Sequence, residues 1–157
     1  MNASRLRRLM NWWPPFLFSG IRVTSVSDDF RGVDVELRQH WYNRNYVGSH
    51  FGGSLFAMTD PFWMIMVLRN LGTDYLVWDQ AAEIVFVKPG RGTVRCGFRL
   101  ESDVLDEIRL ATANGDKYRH WFAMDVIDGD GGIVARVRKQ VYVRRKPGKN
   151  PETASHS

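Results

Sequence analysis

The sequence has little cysteine and no long apolar run. Its single cysteine, Cys96, excludes an internal disulfide and a cysteine-based zinc site. Cys96 alternates with apolar neighbours, which predicts a buried strand position instead of a nucleophile. No stretch reaches the ~18 apolar residues that a membrane span requires. We therefore predict a cytoplasmic protein with no membrane span, no metal site and no cofactor.

Acidic residues are scarce at the two ends of the chain, where basic residues collect. The chain has 22 basic and 17 acidic residues, which gives a formal net charge of +5. Glu152 is the only acid in the terminal segments, which contain Arg5, Arg7, Arg8, Arg144, Arg145, Lys146 and Lys149. The body of the chain is close to neutral, so a nucleic-acid groove is not indicated and no nucleic-acid partner is predicted.

Three segments are predicted along the chain: an N-terminal helical segment at 1–19, one domain at 20–146 and a disordered tail at 147–157. The first helix begins near Ser4 and ends before Pro14, because the residue preceding a proline avoids the α region. This tryptophan-rich segment either lies on a membrane surface or packs on the domain, and we favour packing. The tail has no large apolar residue to anchor it.

Hydrophobic periodicity predicts an α+β domain. Its order is helix, two strands, buried helix, two strands, short helix and two strands. Residues 53–70 are apolar on nearly all faces, which predicts one long buried helix that starts at Gly52. A six-stranded, mostly antiparallel sheet wrapped around this helix would bury most of it. Any apolar surface left exposed would favour a partner subunit.

The stretch 45–60 contains the candidate chemistry. Gly52 and Gly53 begin a helix, where backbone N–H groups are unpaired and can stabilise an oxyanion. Asp60 follows two turns later among apolar residues, and a buried carboxylate is costly unless it is paired or used. Pro61 either kinks this helix and aims Asp60 at a cavity, or begins a second helix that Asp60 caps. Both interpretations stay open at this point.

A family resemblance rests on the same stretch. Asn45, Gly48, Gly52, Gly53 and a helical carboxylate at Asp60 resemble the active-site pattern of hotdog-fold acyl-CoA thioesterases, particularly the phenylacetate-pathway type. The chain is most similar to the DUF4442, or tetrameric acyl-CoA thioesterase-like, branch, where Phe-Gly-Gly replaces His-Gly-Gly. The Pro-Gly-Arg-Gly sequence at 89–92 is also similar to that branch. The resemblance covers about residues 10–145 and implies a hotdog fold.

The resemblance implies hydrolysis of acyl-CoA thioesters. The Gly52 amide would polarise the thioester carbonyl, Asp60 would activate water or attack directly, and Asn45 would position water or the carbonyl. The site would form between two subunits, which implies a homo-oligomer, either a dimer or a dimer of dimers. One departure is that the motif histidine is Phe51 here, with His50 one residue early. The alternative is a non-catalytic acyl or acyl-CoA binding protein on the same fold.

Further residues are expected to bind substrate. The resemblance implies that a polar residue of the third strand faces the nucleophilic water. Asp79 and Gln80 point to opposite faces of this strand, so one of them at most takes that place, and we favour Asp79. Arg91 is the first choice for the CoA phosphates, ahead of other strand and turn cations that include Lys139. His50 either lines the site or binds backbone in its loop. The full predicted set is Gly48, His50, Phe51, Gly53, Phe56, Trp63, Asp79 and Arg91.

Overall fold

Two short helices precede the sheet in this computed structural model, which describes residues 1–147. Helix α1 spans Ala3–Trp12 and α2 spans Pro14–Ser19, whereas the sequence predicts a single helix. The Asn2 side chain accepts a 2.9 Å hydrogen bond from the Arg5 amide and so caps α1. Proline is tolerated at the first position of a helix, so Pro14 ends one helix and begins the next. Apart from Pro147, the predicted tail lies outside the described residues.

The six predicted strands form one sheet. They are β1 (Ile21–Val26), β2 (Gly32–Arg38), β3 (Tyr75–Phe86), β4 (Thr93–Arg99), β5 (Lys117–Ile127) and β6 (Ile133–Arg145). Their order across the sheet is β1-β2-β4-β5-β6-β3, and every neighbouring pair is antiparallel. The α+β class and the six-stranded antiparallel sheet are therefore confirmed. Strands β1 and β3 are the two edges.

The prediction of one long central helix is wrong. The segment forms α3 (Gly52–Ala57) and α4 (Phe62–Leu71), separated by a turn that contains Asp60 and Pro61. Proline has no amide hydrogen and disfavours the α region in the residue before it, so the helix ends ahead of Asp60. Pro61 is the N-cap of α4, and no side chain caps that helix. The interpretation of Asp60 as the cap is therefore also wrong.

The core lies between the helices and one face of the sheet. Phe62 and Trp63 of α4 contact the Phe98 ring of β4, at 5.0 and 5.5 Å between ring centroids. The Trp63 ring also stacks on Phe122 of β5 at 4.1 Å. Burial of such side chains contributes about 1.5–3 kcal/mol each. Helix α5 (Ser102–Ala111) precedes β5, and none of the helices among residues 1–147 is long and apolar enough to cross a membrane.

Candidate active site

Lys139 of β6 lies between two carboxylates. Its ammonium group donates a hydrogen bond to Oδ1 of Asp60 and lies 3.4 Å from Oδ2 of Asp79. Only 5% of the Lys139 side chain is exposed, against 50% of the Asp60 side chain. The expected burial of Asp60 is therefore wrong for the single chain, because Asp60 lies in a turn instead of inside a covered helix. Lys139 contacts one oxygen of the Asp60 carboxylate, and the side chain is half-exposed to solvent.

A β-bulge in β3 places Asp79 on the same face as Lys139. Asp79 pairs with Val141 and Ala81 with Gln140, so Gln80 is the extra residue. Directly opposed residues of an antiparallel pair share a face, and one inserted residue reverses the alternation. Asp79 before the bulge and Phe86 after it therefore share the inner face with Lys139, although they are an odd number of residues apart. Gln80 instead accepts a 2.7 Å hydrogen bond from Arg119.

Asp79 is the more buried of the two carboxylates. Burial raises the pKa of the Asp79 carboxyl above its usual value, while the nearby Lys139 ammonium opposes that rise. Oδ1 of Asp79 is buried and has no hydrogen-bond partner within residues 1–147. A buried acceptor without a partner is uncommon in folded proteins. This oxygen can accept a hydrogen bond from water or from a substrate group.

The start of α3 presents two free backbone amides. The N–H groups of Gly52 and Gly53 have no hydrogen-bond partner in the part of the chain that the structure describes. A Cβ atom on Gly53 would lie 2.4 Å from the Phe51 ring, and one on Gly52 would lie 3.0 Å from the Phe86 ring. A side chain at Gly53 would displace the Phe51 ring, and one at Gly52 would press on the Phe86 ring. Because α3 has only six residues, donation by these amides matters more than the dipole of the helix.

Asn45 holds the loop that leads into α3. Its Oδ1 accepts hydrogen bonds from the amides of Val47 and Ser49, at 3.1 and 2.9 Å. Its Nδ2 donates to Oγ of Ser49 and to the carbonyl of His50, at 2.8 and 3.2 Å. The structure thus uses Asn45 to shape the loop, and its role in positioning water or a carbonyl stays a prediction. Gly48 has a φ of 76°, so it serves the turn of this loop.

His50 fastens the same loop to the turn at 89–92. Its Nε2 donates to the carbonyl of Gly92 at 2.8 Å, and its amide donates to the carbonyl of Gly90 at 2.9 Å. Burial lowers the pKa of the His50 imidazole. Of the two interpretations left open, the structure shows the loop histidine that binds backbone. Arg91, between the two acceptor glycines, is exposed and lines a groove of about 440 Å³ together with Lys88 and Arg95.

Phe56 and Trp63, both expected to bind substrate, differ in position. The Phe56 ring centroid lies 5.5 Å from Nζ of Lys139, so Phe56 borders the carboxylate pair. Trp63 lies in the core, where its indole N–H donates to Sδ of Met124 at 3.1 Å. Trp63 is therefore a core residue of the single chain, and its contact with substrate stays a prediction. Burial also raises the pKa of the Cys96 thiol to about 12, as expected for a core cysteine.

Sequence reasoning missed two residues of the site, Lys139 and Phe86. The sequence pattern places Lys139 among the strand cations, yet it occupies an inward position between Val137 and Val141. That alternation is readable from the sequence, because a charged residue in an otherwise apolar inward series needs a buried partner. Phe86 gives no such signal, because the bulge in β3 decides which face it occupies.

The site is open in the single chain. Two surface grooves, of about 740 and 840 Å³, are lined by other residues and include neither Asp60 nor Gly52. Across residues 1–147, no group of three or more histidine, cysteine or acidic side chains is placed to hold a metal ion. The chain's own chemistry in this region is thus a carboxylate paired with a buried ammonium in the turn after α3, and two free amides at the start of that helix.

Comparison with solved structures shows the fold. A Pseudomonas aeruginosa protein described as a probable thioesterase has a TM-score of 0.78 at 18% identity, with 90% of this chain and 95% of that chain covered. A thioesterase from Haemophilus influenzae has a TM-score of 0.67 at 11% identity, with 92% of each chain covered. The PaaI protein of the E. coli phenylacetic acid degradation operon has a TM-score of 0.63 at 16% identity, with 92% and 93% covered.

At such low sequence identities, the structural similarity shows only the fold. It is the hotdog fold, which these thioesterases share. No curated protein matches the sequence. The model of one family does match, over residues 3–143, which is nearly the whole described chain. The chain therefore belongs to the DUF4442 family, a domain of unknown function, whose predicted resemblance to hotdog-fold thioesterases is confirmed at the level of the fold.

Proposed function

We propose that this protein hydrolyses acyl-CoA thioesters to a free acid and CoA. The observation that carries the proposal is Asp60, whose carboxylate accepts a hydrogen bond from a buried lysine and is half-exposed to solvent. The free amides of Gly52 and Gly53 lie at the start of the preceding helix. The similarity to structures described as thioesterases supports the same reaction class.

The proposed reaction begins with the thioester carbonyl at the Gly52 amide. Asp60 removes a proton from a water molecule, whose oxygen attacks the carbonyl carbon. The N–H group of Gly52 stabilises the oxyanion that forms, a contribution of about 3 kcal/mol for one such donor. The tetrahedral intermediate then collapses with cleavage of the C–S bond, and Asp60 returns the proton to the CoA thiolate. Direct attack by Asp60, with an anhydride intermediate that water cleaves, is the second route.

Lys139 and Asp79 are assigned supporting parts in this reaction. Lys139 holds one oxygen of Asp60, which leaves the other free to face water. The unpartnered Oδ1 of Asp79 accepts a hydrogen bond from the attacking water and orients it. Arg91, on the turn that His50 anchors, attracts the CoA phosphates. Phe56, Phe51 and Phe86 supply apolar contact for the acyl group.

We further propose that two copies of the chain complete the site along β3. This strand is an edge of the sheet, so its outer N–H and C=O groups are free to pair with another strand. It exposes Trp78, Val85 and Phe86, and Val87 follows directly. The Phe86 ring contacts Gly52, so a subunit docked along β3 would close the open side of the site. Apolar residues on a free edge favour such pairing.

One observation favours the alternative, a non-catalytic acyl or acyl-CoA binding protein. Phe51 occupies the place of the motif histidine, and its ring packs over Gly53. Asn45, the other motif side chain, is engaged within its own loop. Binding would require the apolar surface and the cations, whereas turnover requires an intact Asp60. The two functions thus differ in their dependence on one carboxylate.

The test is thiol release from acyl-CoAs of increasing chain length by the wild type and by Asp60→Asn. We expect release by the wild type and a loss of about a hundredfold or more in the variant, the size expected for an acid–base group. Asp103→Asn, at an exposed position of α5, is the matched control and should retain full activity. Circular dichroism checks that both variants are folded.

Two outcomes would overturn the catalytic assignment. One is release that persists in Asp60→Asn. The other is no release by either protein while acyl-CoA still raises the melting temperature, which would identify the binding protein instead.

A further inference from the structure

Helix α1 is apolar on two opposite faces. Ala3, Leu6 and Met10 are buried on one side. The helix lies against β1, where the Asn11 side chain bonds the amide and carbonyl of Val23 at 2.7 and 3.0 Å. The other side carries Met1, Arg5, Arg8, Leu9 and Trp12, which line one shallow surface groove. The outer face of a surface helix is normally polar, so the apolar residues on this side need an explanation.

Helix α2 continues the exposed apolar surface. Trp12 is 75% exposed and Phe18 is 74% exposed, and Leu17 is also exposed. Trp12 and Leu17 line a second groove, which shows that the two helices meet on this side. We call Leu9, Trp12, Leu17 and Phe18 the N-terminal apolar face. Large apolar side chains gathered in this way mark an interaction site.

The charge around this face has one sign. Residues 1–27 contain no aspartate or glutamate. A groove of about 740 Å³ beside the face is lined by Arg7, Arg8, Arg22 and Arg38. Its one acid, Glu36, is already paired with Arg38 at 2.5 Å and lies 3.9 Å from Arg95. Arg8 and Arg22 have no acidic partner within residues 1–147, so the groove offers free guanidinium groups to an anion.

A second copy of the chain does not suit this surface. A two-fold interface places the same patch of both subunits in contact, so the arginines would face one another. Juxtaposed like charges disfavour association. A partner must instead bring negative charge together with an apolar layer that accepts tryptophan and phenylalanine.

We propose that the N-terminal apolar face docks on an anionic lipid surface. The helices would lie in the plane of the interface, with Trp12 and Phe18 among the upper acyl chains. Arg5 and Arg8 would lie at the headgroup phosphates, as in interfacial helices that combine an aromatic and a basic side. Tryptophan prefers this boundary because its ring is apolar and its N–H is polar. The proposal concerns where the protein docks and is independent of the proposed hydrolysis.

The first experiment is co-sedimentation of the full chain with vesicles. One set is pure phosphatidylcholine, and the other contains equal parts of phosphatidylcholine and phosphatidylglycerol. We expect binding to the anionic vesicles and a weakening of at least about tenfold for Trp12→Ala combined with Phe18→Ala. Leu110→Ala removes an equally exposed apolar side chain from α5 and serves as the control that should bind like the wild type.

The second experiment changes the charge. Arg5→Gln with Arg8→Gln should weaken binding to anionic vesicles by about thirtyfold, since each arginine near such a surface contributes several-fold. Arg95→Gln with Arg136→Gln removes the same charge from exposed strand positions and should change binding little. Equal losses in the two double variants would overturn the proposal. A wild type that does not bind anionic vesicles would also overturn the proposal. If, in addition, Trp12→Ala with Phe18→Ala changed the molar mass in solution, the face would be a contact between copies of the chain.

Discussion

Lys139 is the residue on which the geometry of the two carboxylates depends. Its ammonium group contacts both Asp60 and Asp79 from a position that solvent barely reaches. Removal of one partner from a buried ion pair costs more than the pair itself contributes, because a charge is left without compensation. In this site the uncompensated group would be Asp79, the more buried carboxylate. The lysine is thus a positioning residue, and its effect on the reaction passes through Asp60.

We expect Lys139→Met to lower kcat for thioester hydrolysis by about a hundredfold, with KM changed by less than about threefold. The substituted side chain keeps the length of the lysine stem but no longer fixes the oxygen of Asp60. Arg138→Met is the control, because Arg138 is the neighbouring residue on β6 and pairs with exposed Glu83 at 3.2 Å. Steady-state thiol release measures both variants.

Lys139→Met combined with Asp79→Asn is a second variant, needed because Lys139→Met alone could fail to fold. The double variant leaves no buried carboxylate without a cation. Recovery of full activity in the folded double variant, or an equal loss in Arg138→Met, would contradict the assignment of Lys139.

At the scale of elements, the loop 45–50 and the turn 89–92 form one unit. His50 donates a hydrogen bond to Gly92 through Nε2, and burial lowers the pKa of its ring. Nδ1 of His50 is buried and has no partner among the described residues, so a proton placed there would be a buried donor without an acceptor. The folded protein therefore binds this proton more weakly than the unfolded chain does. Stability gained from neutral His50 is lost as the pH falls.

We expect the free energy of unfolding of the wild type, relative to that of His50→Gln, to rise with pH. The rise ends near pH 6.5, which is about the pKa of a histidine in the unfolded chain. The slope reaches at most about 1.4 kcal/mol per pH unit between the lowered pKa and that value. Above it the difference between the two proteins is constant. Urea denaturation at a series of pH values measures the difference. Parallel curves for the two proteins over this range would show that His50 is not linked to folding.

The elements differ in how far the sequence predicts them. Alternation in β6 reflects one buried face, and the apolar run of α4 reflects a helix in the core, so strands and helices follow from local pattern. The end of α3 is also readable from Pro61, but the use of Pro61 as the N-cap of α4 is not, because the start of α4 depends on how that helix packs in the core. The bulge at Gln80 is set by the pairing of β3 with β6, so no local pattern shows that Asp79 and Phe86 share a face. The contact between Asp79 and Lys139 depends on the same bulge, although the inward position of Lys139 on β6 is readable from the sequence.

At the scale of the whole molecule, the single chain presents the site without closing it. Asp60 is half-exposed, and the grooves of about 740 and 840 Å³ lie elsewhere. Strand β3 runs beside this open side as a free edge, with Phe86 over Gly52. An edge strand with exposed apolar residues is a liability for a lone chain, and natural proteins cover it or use it. A second copy docked here would bury the edge and the open side of the site together.

We expect Val85→Lys to convert the assembly to a monomer of 18.1 kDa and to abolish thioester hydrolysis with it. An interface along β3 would remove the introduced ammonium group from water, and burial of a charge costs free energy. Leu110→Lys adds the same charge at an exposed position of α5 and should leave both mass and activity unchanged. Light scattering gives the mass, and thiol release gives the activity. A wild type that is monomeric and active, or a monomeric Val85→Lys with full activity, would mean that one chain forms the complete site by itself.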